Sequence, residues 1–538
     1  MGGNALTEGG ALIHRSHRQQ ETLDSRGGLI PIKQNKLKSE MKTICLYFEI
    51  HQIVHLKRYR FFDIGADHYY YDDYENERSI ADIVDRSYMP ALNTIGEMIK
   101  EHGDYFKVAF SLSGVGMEQL ELHAPKVLDK LQELNQTGCV EFLAEPYSHG
   151  LSSLKDEQVF RDEVKLQAEK IKEYFGQEPK IFRNSGLIYK DEIGEVVADM
   201  GFKGLLTEGA QHVLGWKSPH YLYHCALNPN LKLLLRDYTL SDDIALRFSN
   251  SDWEEYPLFA DNYIDKIAKL PEEEQLVNIF MNLSAIGISQ PLSSGILEFL
   301  RALPECARKR GITFSTPTEV CMKLKSMGEA NVPVALSWMD EERDVSTWLG
   351  NPMQQEAVNK LYSVAERVRI IDDPALNLDW MYLQASNNFR MMSTKPSNVG
   401  VERGIFSSPF DAFSNYMNIL GDFLSRVRQL YPESIEDDEL NSLLTTIRNQ
   451  SDEIELKGKE ASRLQARVEK LESENSKLHD QIDQLEEEVK SPAKETAKGS
   501  RKGATKGACK ESTKASKETK PKAAPKTARR SPRKKATE

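Results

Sequence analysis

The sequence predicts an α/β protein whose parallel-sheet domain is followed by a helical bundle, a coiled coil and a disordered tail. Three observations predict it. Between about residues 41 and 320, short apolar segments alternate with amphipathic stretches, the rhythm of parallel β/α units. Beyond residue 333 the strand-like segments give way to helical ones, and from Ala461 a heptad repeat sets in and then dissolves into a lysine-rich tail. The chain of 538 residues exceeds the size at which one core keeps growing, so two or more folded units are expected.

Four strand ends deliver polar groups. The segment Cys45–His51 opens the folded part as a strand ending in His51, and the strand beginning at Val140 runs into Glu145 and His149. A short strand at 180–182 follows a Gln-Glu-Pro break and leads to Arg183, Asn184 and Gly186 ahead of a helix over 191–200. The run Leu233-Leu234-Leu235 passes through Arg236 and Asp237 to Asp242, Asp243 and Arg247; on extended backbone two adjacent aspartates point to opposite sides. In β/α barrels the loops after such strand ends converge on one mouth, so these residues are expected to share a site. Helices over 90–100, 126–134 and 156–175 fill the intervals.

Residues 325–333 read as a linker, and helices over 352–371 and 411–431 read as a bundle packed on the barrel. The expected domains are a disordered extension over 1–40, a β/α barrel over 41–324, a helical domain over 325–435, a parallel coiled coil over 450–490 and a basic disordered tail over 491–538. Trp253, Trp338, Trp348 and Trp380 offer faces on which a sugar ring can stack, although tryptophan is more often core material.

In the heptads, Val468, Asn475, Ile482 and Val489 take one core position and Leu464, Leu471, Leu478 and Leu485 the other. β-Branched residues at a, leucine at d and one buried asparagine favour a parallel two-stranded assembly, hence a homodimer through 461–489. Residues 491–538 carry 16 Lys+Arg and 4 Asp+Glu, a net +12 that leaves −24 on the acidic body. Such an arm can neutralise nucleic-acid phosphates without reading sequence, and it can equally touch an anionic surface or the acidic body of a neighbour, so nonspecific nucleic acid through 491–538 is one expected partner among these.

Six dispersed cysteines favour reduced thiols and a cytoplasmic location over a disulfide framework. No apolar run approaches the roughly 20 residues that span a bilayer, so no membrane is expected. Residues 1–40 lack the apolar core of a secretory leader and are read as an upstream start ahead of Met41. The cysteines show no paired spacing, and neither a metal nor another cofactor is expected.

Together, the start Met41–Phe48 through His51-Gln52, the segment Tyr59-Arg60-Phe61-Phe62-Asp63-Ile64-Gly65, Phe182-Arg183-Asn184, Thr207-Glu208-Gly209 with Gly215-Trp216, and Leu240-Ser241-Asp242-Asp243-Ile244 resemble the α-amylase branch of glycoside hydrolase family 57. The likeness spans roughly residues 41–430. It implies an incomplete (β/α)7 barrel, a helical domain after it, and retaining hydrolysis of α-1,4-glucans. In that family a glutamate nucleophile follows the Phe-Arg-Asn element and an aspartate general acid lies in the Ser-Asp-Asp element. By position the acid is Asp242, with Asp243 the alternative, while the nucleophile's place is taken by Gly186. The resemblance implies that His51, Glu145, His149, Arg183 and Asp243 contact substrate, an α-glucan or maltooligosaccharide.

Retaining chemistry needs two carboxyl groups about 5–5.5 Å apart, and only one survives. A second family element, Glu-Thr-Phe-Gly-Glu-His near the last barrel strand, is replaced by Ser284-Ala285-Ile286-Gly287-Ile288-Ser289. Ile53 stands where a proline is common, and Ser386-Asn387-Asn388-Phe389 where Asp and His are usual. The expected function is a glucan-binding homologue with impaired catalysis. Two alternatives stand beside it: a hydrolase or transferase using a relocated carboxylate, Glu145 or Glu208, and a dimeric scaffold whose tail binds nucleic acid.

Overall fold

The computed structural model describes residues 41–396, 404–431 and a few helical positions between 450 and 468. Seven parallel strands form the ring: β1 (Thr43–Ile50), β2 (Val108–Leu112), β3 (Val140–Leu143), β4 (Ile181–Arg183), β5 (Gly204–Glu208), β7 (Lys232–Arg236) and β8 (Leu276–Asn282). β1 lies between β8 and β2, β2 pairs with β3, β4 with β5, and β5 with β7. Two thin contacts complete the circuit. β7 meets β8 through Arg236 opposite Asn278, and β3 meets β4 only through a bridge from Ala144 to Phe182.

Three short strands decorate the ring. β6 (Tyr223–Cys225) runs antiparallel to β7, β9 (Thr313–Phe314) joins β1, and β10 (Glu329–Ala330) pairs with β6. Residues 325–333, expected as a linker, are therefore tied down: β10 lies among them, and the Asp191 carboxylate accepts from the Val332 amide at 2.7 Å.

The pleat of β1 divides the core. Ile44, Leu46, Phe48 and Ile50 pack in an outer layer with the helices Met89–His102 and Ile296–Lys309, whereas Cys45 and Tyr47 face the other way. Alternation places Glu49 on the Cys45 and Tyr47 face, so an acid enters the barrel from a strand with no exposed residue. Local chemistry sets the helix ends. Asp156 accepts from the Val159 amide to start Glu157–Phe175, and Gly176, at φ +68°, ends it.

The stretch expected as helical over 352–371 forms two helices, Pro352–Tyr362 and Ala365–Ile371, and the later helix is Pro409–Leu430. These helices share an apolar cluster with the barrel interior, from Tyr47 and Phe182 to Phe389 and Ile419. Polar ties fix them to the loop after β1: Tyr70 Oη donates to Asp422 at 2.6 Å, and the Tyr59 amide to Asn415 at 2.8 Å. All fall in one compact unit that ends at Ser434, and a second unit begins at Ile435. The 1–40 extension and the 491–538 tail lie outside the described residues, as does nearly all of the coiled-coil segment. Among the described residues no helix is long and apolar enough to cross a membrane, and Cys45, Cys139, Cys225, Cys306 and Cys321 are free thiols.

Candidate active site at the barrel mouth

The C-terminal ends of the strands bring together most of the residues expected there. Arg183, at the end of β4, is fully buried and donates from Nη1 to Glu49 at 2.5 Å and Glu145 at 3.1 Å. Glu145 also accepts from the Ser111 hydroxyl. Burial would push its carboxyl up, but the nearby His149 imidazole and the charge of Arg183 outweigh that and hold it below the usual range. Glu145 thus holds a barrel-end arginine and hydroxyl. His149, in left-handed backbone at φ +54°, stacks on His51 with ring centroids 4.1 Å apart. His51 shares Nδ1 with the Ser113 hydroxyl at 2.7 Å, and burial, then the charges of His149 and Arg183, keep its imidazole neutral.

Asp242 belongs to a second buried group. It accepts from Arg236 Nη2 at 2.5 Å and from Arg343 Nη2 at 3.4 Å, while Arg236 Nη1 also reaches Glu208 at 3.2 Å. Glu208 therefore anchors Arg236, and burial pushes its carboxyl up to about 7 against the pull of that arginine.

The adjacent aspartates are not on extended backbone. Asp237 caps a short helix, Tyr238–Asp242, by accepting from the Leu240 amide at 2.9 Å, and a π-type turn, Asp243–Arg247, continues it. Neighbouring helical side chains diverge, so Asp243 pairs with Arg247 at 2.6 Å and Lys266 at 2.8 Å, apart from the mouth group. Asp243 is thus engaged by Arg247 and Lys266, and Asp242 by Arg236 and Arg343.

Gly186, the position that the resemblance gives to the nucleophile, lies in the single turn Ser185–Leu187 after β4, at φ +56°. A Cβ there would fall 2.8 Å from Cζ2 of Trp348 and closer still to Cη2, so an indole fills the space of a side chain. The segment 336–349 holds that indole in place. The Trp338 amide donates to the Gly186 carbonyl at 3.1 Å, Leu336 bridges to Tyr189, and Arg343 donates to the Trp338 carbonyl. Trp338 packs edge-on to Phe280 and lies under the Arg236 guanidinium. Asp242 and Trp348 are only 6% and 3% exposed, so no open cleft separates Gly186 from Asp242. Trp380, stacked on Phe423, and Trp253, between Arg247 and Lys266, are not in the mouth.

The residues missed at the sequence level are Glu49 and Arg343. Glu49 had a signal, an acid on the inward phase of an apolar strand. The mouth also concentrates buried polar atoms that have no hydrogen-bond partner: Tyr47 Oη, His51 Nε2, Glu145 Oε1, His149 Nδ1, Arg183 Nε and Nη2, and Ser185 Oγ. Each such atom costs about 1–3 kcal/mol unless something satisfies it.

A seven-stranded parallel ring whose mouth gathers acids, arginines, stacked histidines and tryptophans defines a β/α barrel with a polar, buried mouth. Residues 45–333 match the Glycosyl hydrolase family 57 model, and the chain belongs to that family. It is 38% identical over 380 residues to a Methanocaldococcus jannaschii protein provisionally named an alpha-amylase, covering 68% of this chain and 80% of that one. Two solved structures share the fold at 13% identity and TM-score 0.53. One is the 4-alpha-glucanotransferase of Thermococcus litoralis, with 71% of this chain and 60% of that one covered. The other is the branching enzyme of Thermococcus kodakaraensis, at 75% and 94%.

Proposed function

We propose that this family 57 protein is an α-amylase-like homologue in α-1,4-glucan metabolism that binds α-glucan and does not hydrolyse it. The observation that carries the reading is the pair Gly186 and Trp348: the nucleophile position has no carboxylate, and an indole occupies the room one would need. Asp242, the general acid by resemblance, is held between Arg236 and Arg343.

Because the inner groups are buried, glucan binding falls on the rim. The loop after β5 carries Trp216, 93% exposed, and the loop after β1 carries Phe61 and Phe62, 70% and 88% exposed. Both loops leave the C-terminal ends of barrel strands and so lie on the mouth face. Exposed aromatic faces bury the apolar side of a sugar ring at small entropic cost.

The alternative in which Glu145 or Glu208 replaces the nucleophile is less well supported. Both carboxylates are spent on buried arginines, and neither is exposed enough to reach an anomeric carbon. The dimeric scaffold with a nucleic-acid-binding arm rests on residues outside the described ones.

Calorimetric titration with maltooligosaccharides, with reducing ends followed in the same samples, tests the reading. Binding heat without new reducing ends supports it, as does weakened binding in Trp216→Ala. Turnover abolished by Asp242→Asn would establish the hydrolase instead.

A further inference from the structure

We propose that Glu49, Glu145 and His149 form a binding site for one divalent transition-metal ion of the zinc, manganese or cobalt class. One ligand atom from each of the three side chains lies within 4.8 Å of the other two, and all three residues are buried. His149 Nδ1 is 3.3 Å from Glu49 Oε1 and 3.9 Å from Glu145 Oε1. A metal with bonds of about 2.0–2.2 Å to imidazole and carboxylate draws its ligands to roughly 3.3–3.6 Å from one another, so a small closure completes the set.

The second observation is the state of the atoms themselves. His149 Nδ1 and Glu145 Oε1 are buried and make no hydrogen bond, although their residues are 6% and 0% exposed. The approach of Nδ1 to Glu49 is within ion-pair range yet misaligned for a hydrogen bond, which leaves its lone pair available to a cation. Glu145 divides its work: Oε2 takes Arg183 and Ser111, and Oε1 is left over.

Charge points the same way. Two buried carboxylates share one guanidinium, Arg183, which reaches them through Nη1 alone. Glu49 Oε1 has a second lone pair beyond the one Arg183 engages, so arginine and ion are compatible on it. One imidazole and two carboxylates, with no thiolate, suit a borderline divalent ion and not a soft monovalent one. The site does not depend on glucan binding.

The test is metal content and spectrum on the full chain. Protein stripped with EDTA and dialysed is titrated with ZnCl2 and, separately, with CoCl2. The expected results are one tightly held zinc per chain after gel filtration and a cobalt spectrum with weak visible bands but no thiolate charge-transfer band. In Glu145→Gln and His149→Gln, checked for folding by circular dichroism, zinc affinity falls at least 100-fold. Absence of stoichiometric zinc, equal retention by wild type and both variants, or a thiolate band in the cobalt spectrum would each overturn the proposal. The cobalt spectrum is read on the wild type, so the outcome stands even where a variant does not fold.

Discussion

Trp348 occupies the space that a side chain at residue 186 would need: an ideal Cβ on Gly186 falls 2.8 Å from its Cζ2. Glycine at this point therefore does two things. It puts no carboxylate at the position that the resemblance gives to the nucleophile, and it lets the indole of the 336–349 segment close against β4. The backbone there, at φ +56°, is one that side-chain-bearing residues seldom adopt.

Gly186→Glu alone is accordingly expected to remain inactive on maltooligosaccharides and to lose about 1–3 kcal/mol of stability from overpacking and backbone strain. In a cycle with Trp348→Ala, the two changes together should cost less than the sum of the singles. Urea unfolding of the four proteins reads the coupling, and strict additivity would show that the indole and residue 186 do not compete.

Removing the Arg183 cation should be among the most damaging single changes in the barrel. Arg183→Met leaves Glu49 and Glu145 facing each other in a buried site, at a cost of about 3–5 kcal/mol. A loss under 1 kcal/mol in denaturant unfolding would mean that other groups carry their charge.

Two buried groups set a pH dependence of the same sign. Glu208 has its pKa raised from 4.5 to about 7, so between those values the native state binds a proton that the unfolded chain has released. Its contribution is complete below pH 4.5 and is lost as pH rises through 7, roughly 3 kcal/mol in all. His220 lies between Asp237, at 2.7 Å from Nε2, and Glu274, at 2.5 Å from Nδ1. Burial alone would lower its pKa, but the two carboxylates raise it above 6.5, so its contribution too is lost as pH climbs past that value. Unfolding free energy measured from pH 5 to 8 should decline, and Glu208→Gln should flatten the part below 7.

What the sequence made legible follows from what periodicity reports. The barrel strands announce themselves as apolar runs, and Gly186 stands out because the residues around it match a motif. The aspartates at 242 and 243 were misplaced because an apolar run leading into them reads as a strand that goes on. The cap at Asp237 was the overlooked signal that a helix begins instead. Trp348 and Arg343 reach the mouth from beyond the last barrel strand, and no local pattern couples them to Gly186 or Asp242. Glu49 was legible in principle, since it shares the inward phase of Cys45 and Tyr47.

Leu464 and Val468, core positions of the heptads, are 60% and 51% exposed in the single chain. Pairing through 461–489 would bury them, so sedimentation at micromolar concentration is expected to give a dimer that becomes a monomer when residues 450–490 are deleted. A monomeric full-length chain would contradict this.

The central claim is that the barrel mouth of a family 57 fold has kept glucan binding and lost hydrolysis. Titration of the full-length protein with a maltooligosaccharide, coupled to a reducing-end assay on the recovered mixture, tests it most directly. The account predicts saturable binding heat and no new reducing ends over prolonged incubation. Turnover that disappears in Asp242→Asn, or no binding at millimolar ligand, would contradict it.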